Sequence, residues 1–376
     1  MQLMSGGRTD CTKAEAVKID SEYTRVLCLP CIGSLEHQEE YVQEEAKLVK
    51  REVMQLIERF AEQYGRRYPN LAFDPKLRGS MGEGTKWGPP NEFDFLLVMD
   101  KLSEFCKVNS IVNCKAHTTI RDVLDIDDLL KLSPNKMIDI LHISLKKTSS
   151  YSHCTGFRNP THIIEWIDFS MKRIILSQSI WEGSRLKFVS CGPMGVGLCL
   201  NLIFIGAIYK CLHISIDLVP CVSLKMPVPV SVNIDWPVPL DFSKCQLYGL
   251  FRRGYDGFDL SSTDYEEVLM KSLPRAAIDV YVLGKALHSI THRLVKLNDR
   301  LEKILSKSYT MKKILLLSVQ LHENVQEASR HEWIKEMISV AMNMDKYMKK
   351  NDCTRCIFHA KQWACGNNDK MILSFS

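Results

Sequence analysis

Two carboxylates lie two residues apart in the sequence, a short distance after a Gly-Ser pair. Glu92 and Asp94 lead into the apolar run Phe95 to Met99, which predicts a buried β-strand that places both carboxylates on one face. Gly79-Ser80 predicts a turn whose backbone N–H groups and hydroxyl could bind phosphate. Carboxylates beside such a turn are the ligands that paired Mg²⁺ ions need in phosphoryl or nucleotidyl transfer. Two acids on a strand are also typical of a solvated edge.

A third carboxylate is expected on a neighbouring strand, because two carboxylates rarely complete such a site. Asp217 lies in a mostly apolar, β-branched segment, Leu212 to Pro220, which predicts a strand that ends at the proline. An aspartate in an apolar strand is costly unless a cation or a polar group compensates its charge. Two alternatives stay open: Asp217 could face water at a strand end, and Asp235, in a proline-rich segment that favours a loop, is a rival third acid.

Further segments extend this pattern along the chain. Gly79-Ser80 continues as Met-Gly-Glu-Gly-Thr-Lys and then reaches Asn-Glu-Phe-Asp at residues 91 to 94. Other segments are Ile216 to Pro220, Leu273 to Arg275, Leu283 to Leu287 and Ser308 to Lys313. Together they resemble the cyclic GMP-AMP synthase and Mab family of nucleotidyltransferases, most closely its animal receptor-like members, over about residues 40 to 340. The two acidic motifs are the specific part of this resemblance.

The resemblance implies an α+β, bilobal nucleotidyltransferase fold: a mixed β-sheet catalytic lobe with a long bridging helix, and a helical C-terminal lobe. It also implies an enzyme of innate immunity that joins ATP and GTP into a cyclic dinucleotide after an activating ligand, such as double-stranded RNA or DNA, binds. The implied catalytic residues and ligands of Mg²⁺ or Mn²⁺ are Glu92, Asp94 and Asp217. The implied nucleotide-binding residues are Gly79, Ser80, Lys285, Ser308 and Tyr309.

Two departures from the family pattern leave details of the function open. Vertebrate members carry a His-Cys-Cys-Cys zinc insertion that grips DNA, and residues 285 to 308 contain nothing similar, so double-stranded RNA or another ligand is equally open. Asp259 stands where the family commonly has an arginine that touches nucleotide, which leaves the bases and the linkage open; Arg252 and Arg253 are candidate substitutes. Two other functions also stay open: a non-catalytic Mab-type scaffold and a template-independent RNA nucleotidyltransferase.

A possible zinc site lies near the C-terminus, where the resemblance has faded. Its spacing, Cys-x-x-Cys followed by a histidine and a further cysteine, is compatible with tetrahedral zinc. The four residues are Cys353, Cys356, His359 and Cys365. Whether they bind a metal or belong to a divergent tail stays open.

The composition is that of an ordinary soluble globular protein. The chain has 376 residues, of which 25% are charged and 45% hydrophobic. No apolar segment follows a basic start, and the 14 cysteines are scattered without regular spacing, so we expect reduced thiols in a cytoplasmic protein, with the nucleus as the alternative. Phe188 to Tyr209 has no charged residue, but its continuous apolar part is too short to span a bilayer, so buried strands of the sheet are expected there.

Basic residues are concentrated in the C-terminal part of the sequence. Between Lys285 and Lys361 there are 15 Lys and Arg against 8 Asp and Glu, whereas the whole chain carries a net charge of only +5. A basic helical lobe beside a near-neutral catalytic lobe favours a polyanion bound outside the active site, with a solvated helix surface as the alternative. The candidate contacts are Lys312, Lys313, Lys346, Lys349 and Lys350.

Four regions are expected along the chain. They are an N-terminal extension at residues 1–38, the catalytic lobe at 39–260, the helical lobe at 261–350 and a tail of uncertain structure at 351–376. Apolar spacing predicts a long amphipathic helix from Glu39 to Tyr64, ended by Gly65, and a second helix from Ile163 to Gln178. The proline-rich segment Met226 to Pro239 predicts an extended loop.

Overall fold

The computed structural model describes residues 38–112, 115–120, 160–224, 239–253, 258–294, 308–321 and 325–342. The described helices are α1 (Glu40–Arg67), α2 (Gly79–Glu83), α3 (Asp100–Phe105), α4 (Pro160–Ile175), α5 (Thr263–Ser272), α6 (Arg275–Leu294), α7 (Ser308–Leu321) and α8 (Arg330–Met342). The described strands are β1 (Asp74–Arg78), β2 (Glu92–Val98), β3 (Cys106–Val112), β4 (Lys115–Ile120), β5 (Leu186–Met194), β6 (Gly197–Phe204), β7 (Leu212–Leu224), β8 (Leu247–Phe251) and β9 (Phe258–Ser261).

The described strands form one nine-stranded mixed sheet. Its main path runs β1-β2-β7-β8-β9-β4-β3, and the hairpin of β5 and β6 joins it through β7. The pair β2 and β7 is parallel, and the other described pairs are antiparallel. The helix α1 precedes the sheet in the chain, α2, α3 and α4 lie between its strands, and α5 to α8 follow it. The predicted α+β class with a mixed sheet is therefore confirmed.

The strand β7 is longer than the sequence predicts, because it continues through Pro220 to Leu224. On one edge it pairs with β6 as far as Leu218 and with β8 from Cys221 onward. The backbone N–H of Met99 donates to the Cys221 carbonyl on the β2 side, so the neighbouring proline nitrogen faces the opposite edge, between β6 and β8. The missing N–H of Pro220 therefore costs no ladder hydrogen bond, and the predicted strand end at this residue is wrong.

The long helix predicted from Glu39 to Tyr64 is confirmed as α1, and it runs on to Arg67. Its apolar stripe lies against the buried face of the sheet, in one hydrophobic core that also includes residues of α4. Gly65, predicted to end the helix, lies inside it, where an added Cβ would come within 3.3 Å of the Ala72 side chain. The glycine thus permits close contact with the returning chain rather than ending the helix.

A second hydrophobic core lies among the C-terminal helices. Residues of α5, α6, α7 and α8 pack around Trp333, which is fully buried. This agrees with the helical pattern expected after Ser262, within the described residues. None of the helices described is both long and apolar enough to cross a membrane.

The uncharged segment from Phe188 to Tyr209 forms the hairpin of β5 and β6, as expected for strands. The strand β6 alternates buried and half-buried side chains, whereas β5 is largely exposed, so burial was predicted correctly for only one of the two. The proline-rich segment Met226 to Pro239, predicted as a loop, lies almost entirely outside the described residues.

Candidate functional site

The three predicted acidic residues lie on one face of the sheet. Glu92 and Asp94 alternate with buried side chains along β2, and Asp217 does the same in β7. The parallel register aligns Asp94 with Asp217 and Glu92 with Ser215. Because aligned residues of neighbouring strands point to the same face, the carboxylates share one surface, opposite the apolar face that packs on α1.

The Gly-Ser pair lies directly against this acidic face. Gly79 has a positive φ of 64°, and an added Cβ would overlap Oδ2 of Asp94 and lie 2.9 Å from its Cγ. Only glycine fits this approach of the backbone to a carboxylate. Instead of the predicted turn, the pair begins the short helix α2, and the N–H of Thr85 donates to the Ser80 carbonyl at 2.9 Å.

The electrostatics of the face disfavour full ionisation. Burial, then the charges of Glu92 and Asp217, raise the pKa of Asp94 to about 6, although Lys86 and Lys312 oppose the shift. Burial also raises the pKa of Asp217, against a hydrogen bond from the Cys199 thiol. The three carboxylates lie on one face at a cost in folding stability, and a bound cation would reduce this cost.

One of the three carboxylates is engaged elsewhere. Glu92 Oε2 lies 3.1 Å from Nζ of Lys86, and the Glu92 side chain is 63% exposed. Consistent with this, in the part of the chain that the structure describes no three His, Cys, Asp or Glu side chains are arranged to hold a metal ion as they stand.

The donor set nevertheless fits a divalent cation. Three carboxylate groups on one face are the hard oxygen ligands that Mg²⁺ and Mn²⁺ prefer. Among the described residues, Asp94 and Asp217 form no salt bridge, so no side chain already neutralises them there. Glu92, Asp94 and Asp217 could therefore hold a metal once Glu92 leaves Lys86.

Charged contacts from the helices hold the α2 segment at both ends. Arg78, just before Gly79, pairs with Asp264 at 2.5 Å and with Glu267 at 3.1 Å, both on α5. At the other end of α2, Glu83 pairs with Lys312 of α7 at 2.6 Å. The position of the Gly-Ser segment against the acidic face is thus set by the C-terminal helices as well as by the sheet.

Lys312 lies at the centre of a buried charge cluster. Its Nζ contacts Glu83 at 2.6 Å and Glu266 at 3.3 Å, and all three side chains are at most 10% exposed. Burial disfavours the ammonium ion, but Glu266 and Glu83 outweigh that effect and raise the pKa of Lys312. The prediction that Lys312 contacts a polyanion on the surface is therefore wrong. Lys313 is half-buried and has a partner of its own.

Lys285 of α6 reaches the same segment. Its Nζ donates to the Thr85 carbonyl at 3.0 Å and lies 5.3 Å from the centre of the Tyr281 ring. Burial, then the neighbouring charge of Lys86, lowers the pKa of Lys285 to about 8. This predicted nucleotide-binding residue therefore contacts the segment that connects α2 to β2.

The other predicted nucleotide contacts, Ser308 and Tyr309, are the first residues of α7, and their side chains lie outside what the structure describes. They stand one helical turn before Lys312, which contacts α2, so the start of α7 lies near the Gly-Ser segment. The rival acid Asp235 lies outside the described residues. So does the candidate zinc cluster Cys353, Cys356, His359 and Cys365, and so do Lys346, Lys349 and Lys350.

Asp259 and its two candidate substitutes have definite partners. Asp259 on β9 forms a salt bridge with Arg252 at 2.8 Å. Arg253 pairs with the buried Asp168 and donates from Nε to the Met194 carbonyl at 2.9 Å. Arg253 therefore anchors the β5–β6 hairpin to α4, whereas Arg252 brings a guanidinium to Asp259.

Sequence reasoning missed two residues beside the acids. Lys86, which pairs with Glu92, lies in the segment that begins with Gly79-Ser80. Its position only six residues before Glu92 was a signal that the two opposite charges could pair. Cys199 of β6 is aligned with Asp217, and its Sγ lies 3.2 Å from Oγ of Ser215. That contact depends on the pairing of β6 with β7, which the sequence pattern alone does not give.

Comparison with known proteins adds no assignment to this geometry. No model of a protein family matches the chain, and no curated protein is significantly similar to it in sequence.

Proposed function

We propose that the protein is a metal-dependent nucleotidyltransferase that joins ATP and GTP into a cyclic dinucleotide. The observation that carries the proposal is the parallel register of β2 and β7, which aligns Asp94 with Asp217 on the face that carries Glu92. Gly79, whose backbone lies against Asp94, adds the second feature expected of such a site. The sequence resemblance to the cyclic GMP-AMP synthase and Mab family supports the same reaction and, with it, a bilobal arrangement of sheet and helices.

In this proposal Glu92, Asp94 and Asp217 hold Mg²⁺ or Mn²⁺. The bound metal would lower the pKa of the attacking ribose hydroxyl and neutralise charge on the triphosphate. The sheet would fix the position of this metal site, because all three carboxylates belong to the paired strands β2 and β7.

The remaining residues would orient the nucleotides. Ser80 would contact a phosphate group from its place next to Gly79, and Lys285 would supply a positive charge from the α6 side. Tyr309 would stack on a base and Ser308 would contact nucleotide at the start of α7. The sheet and the C-terminal helices would thus both contribute to the site, since Arg78 and Glu83 form salt bridges that tie its Gly-Ser segment to these helices.

We further propose that double-stranded RNA or DNA activates the enzyme in the cytoplasm or nucleus, as a step in innate immunity. The support is the excess of basic residues between Lys285 and Lys361. With Lys312 buried, other lysines of that region would have to make the contact.

The test is to incubate the protein with radiolabelled ATP and GTP and Mg²⁺ or Mn²⁺, with and without double-stranded RNA or DNA. The proposal predicts a small, phosphatase-resistant product that needs both nucleotides and a divalent metal and that increases with an activator. Label attached to RNA would instead indicate a template-independent polymerase. If no condition gives a product, the scaffold alternative is favoured and the proposal is wrong.

A further inference from the structure

We propose that Lys86 holds Glu92 away from the other two carboxylates in the nucleotide-free protein and releases it when polyphosphate binds to Lys86. The proposal rests on the function proposed above and adds a residue with two alternating partners. Lys86 is then a positioning residue for the metal centre and a contact for the triphosphate.

The geometry of Glu92 carries the first step. Asp94 and Asp217 are aligned on adjacent strands, whereas the Glu92 carboxylate lies 3.1 Å from Lys86. Glu92 is the exposed member of the three and can change rotamer, since its side chain is 63% exposed while Lys86 is only 9% exposed. While Glu92 is paired with Lys86, no three such ligands among the described residues are arranged to hold a metal ion.

The surroundings of Lys86 carry the second step. Lys86 directly follows Thr85, whose carbonyl accepts the Lys285 hydrogen bond at 3.0 Å. The two ammonium groups are close enough for their charges to interact. Their mutual repulsion is one cause of the lowered pKa of Lys285. Two neighbouring lysines beside an acidic face suit a polyphosphate, because it carries several negative charges and can bridge them.

The two steps are linked by charge. A polyphosphate that binds the ammonium group of Lys86 removes the salt-bridge partner of Glu92. The Glu92 carboxylate is then unpaired next to Asp94. Glu92 would then be available, with Asp94 and Asp217, as a third carboxylate ligand for a divalent cation while the phosphate is bound. Metal and triphosphate would therefore bind with positive coupling, which is a binding property and does not require turnover.

The first test measures Mn²⁺ affinity by electron paramagnetic resonance, without nucleotide, for the wild type, Lys86→Gln, Glu92→Gln and the double variant. Lys86→Gln should bind Mn²⁺ roughly three- to tenfold more tightly, because Glu92 is released. In the Glu92→Gln background the same change should alter affinity by less than about twofold. Equal gains in both backgrounds would mean that Lys86 acts only as a nearby charge, and would overturn the proposal.

Lys285→Gln is the matched control in that titration. It removes a neighbouring ammonium group that has no hydrogen bond to Glu92, so its gain should be smaller than that of Lys86→Gln. Lys86→Met provides a second variant if the glutamine side chain disturbs the fold, and thermal unfolding checks both proteins.

The second test uses inorganic tripolyphosphate in metal-free buffer, measured by calorimetry. Glu92→Gln should bind it roughly three- to tenfold more tightly than the wild type because Lys86 is free, and Lys86→Gln should abolish this gain. A gain that persists without Lys86 would overturn the proposal.

The two accounts fail in different ways. If the wild type and Lys86→Gln bind Mn²⁺ equally well, and Asp217→Asn abolishes binding, the exchange at Lys86 is wrong and the metal centre stands. If Asp217→Asn leaves Mn²⁺ binding unchanged, the proposed metal centre is wrong and the exchange falls with it.

Discussion

Two groups of buried or half-buried charges lie on either side of the α2 segment, and they are built on opposite principles. Around Lys312 and Arg78, carboxylates of α2 and α5 are matched with cations at 2.5–3.3 Å. On the sheet, Asp94 and Asp217 are aligned on neighbouring strands without a salt bridge among the described residues, and burial and like charge raise the pKa of Asp94. Each carboxylate of the first group therefore has a cation of the fold within salt-bridge distance.

The second group leaves negative charge uncompensated. This costs stability, and it is tolerated where function requires the charge. Burial of carboxylates alone therefore does not mark a functional site. The two groups differ in whether the fold itself supplies a cation for each carboxylate. Substitutions should therefore have opposite consequences in the two places.

The largest effect is expected on turnover from the sheet acids. Asp217→Asn, or Glu92→Gln combined with Asp94→Asn, should lower dinucleotide synthesis by about three orders of magnitude or more, because the proposed metal ligands are lost. His213→Gln is the matched control, since His213 is exposed on the same strand face, four residues before Asp217. Circular dichroism should show that all the variants are folded. Full synthesis by a folded Asp217→Asn protein would remove Asp217 from the site.

A large loss of stability is expected from the matched group. Lys312→Met leaves Glu83 and Glu266 buried without their cation and should lower the free energy of unfolding by about 3–5 kcal/mol. Urea unfolding measures this loss. Lys47→Met, which breaks an exposed pair on α1, should leave stability unchanged. A Lys312 variant as stable as the wild type would show that the cluster does not hold α2.

A smaller change in stability, this time an increase at neutral pH, is expected when Asp94 is replaced. Its pKa is raised from 3.8 to about 6, so the folded protein keeps a proton that the unfolded chain has released between these values. The wild type should lose stability as pH rises through this window, by up to about 3 kcal/mol, and Asp94→Asn should not. Asp94→Asn should therefore be the more stable protein at pH 7 in EDTA, with the advantage vanishing near pH 4.

Urea unfolding across pH 4 to 7.5 measures this difference. Adding Mn²⁺ should stabilise the wild type and leave Asp94→Asn unchanged, since ligand binding to the folded state raises stability. If Asp94→Asn is less stable than the wild type at pH 7, the carboxylate is structural and the contrast between the two groups disappears.

Local patterns predicted the parts of this architecture that depend on near neighbours. The apolar spacing before Tyr64 gave α1, and alternation around Glu92 and Asp94 gave one shared face in β2. Long-range pairing was beyond such patterns. The alignment of Asp94 with Asp217 needs a parallel register between distant segments, which no local signal fixes.

The error at Lys312 has the same origin. Two adjacent lysines at the start of a helix indicate a solvated surface, yet the partners of Lys312 lie 229 and 46 residues away in the chain. Pro220 was misjudged because a proline was taken to end the strand, whereas β7 changes partners at that residue. In each case the missing information is which distant segment lies opposite.

The central claim is that the shared face of β2 and β7 holds the catalytic metal. The most direct measurement is a crystal structure with Mn²⁺ and a non-hydrolysable ATP analogue, with anomalous scattering collected at the manganese edge. The account predicts an anomalous peak coordinated by Asp94 and Asp217, with Glu92 turned away from Lys86 to join them and the triphosphate next to Ser80. Nucleotide bound without manganese at these carboxylates, or manganese bound elsewhere, would contradict the account.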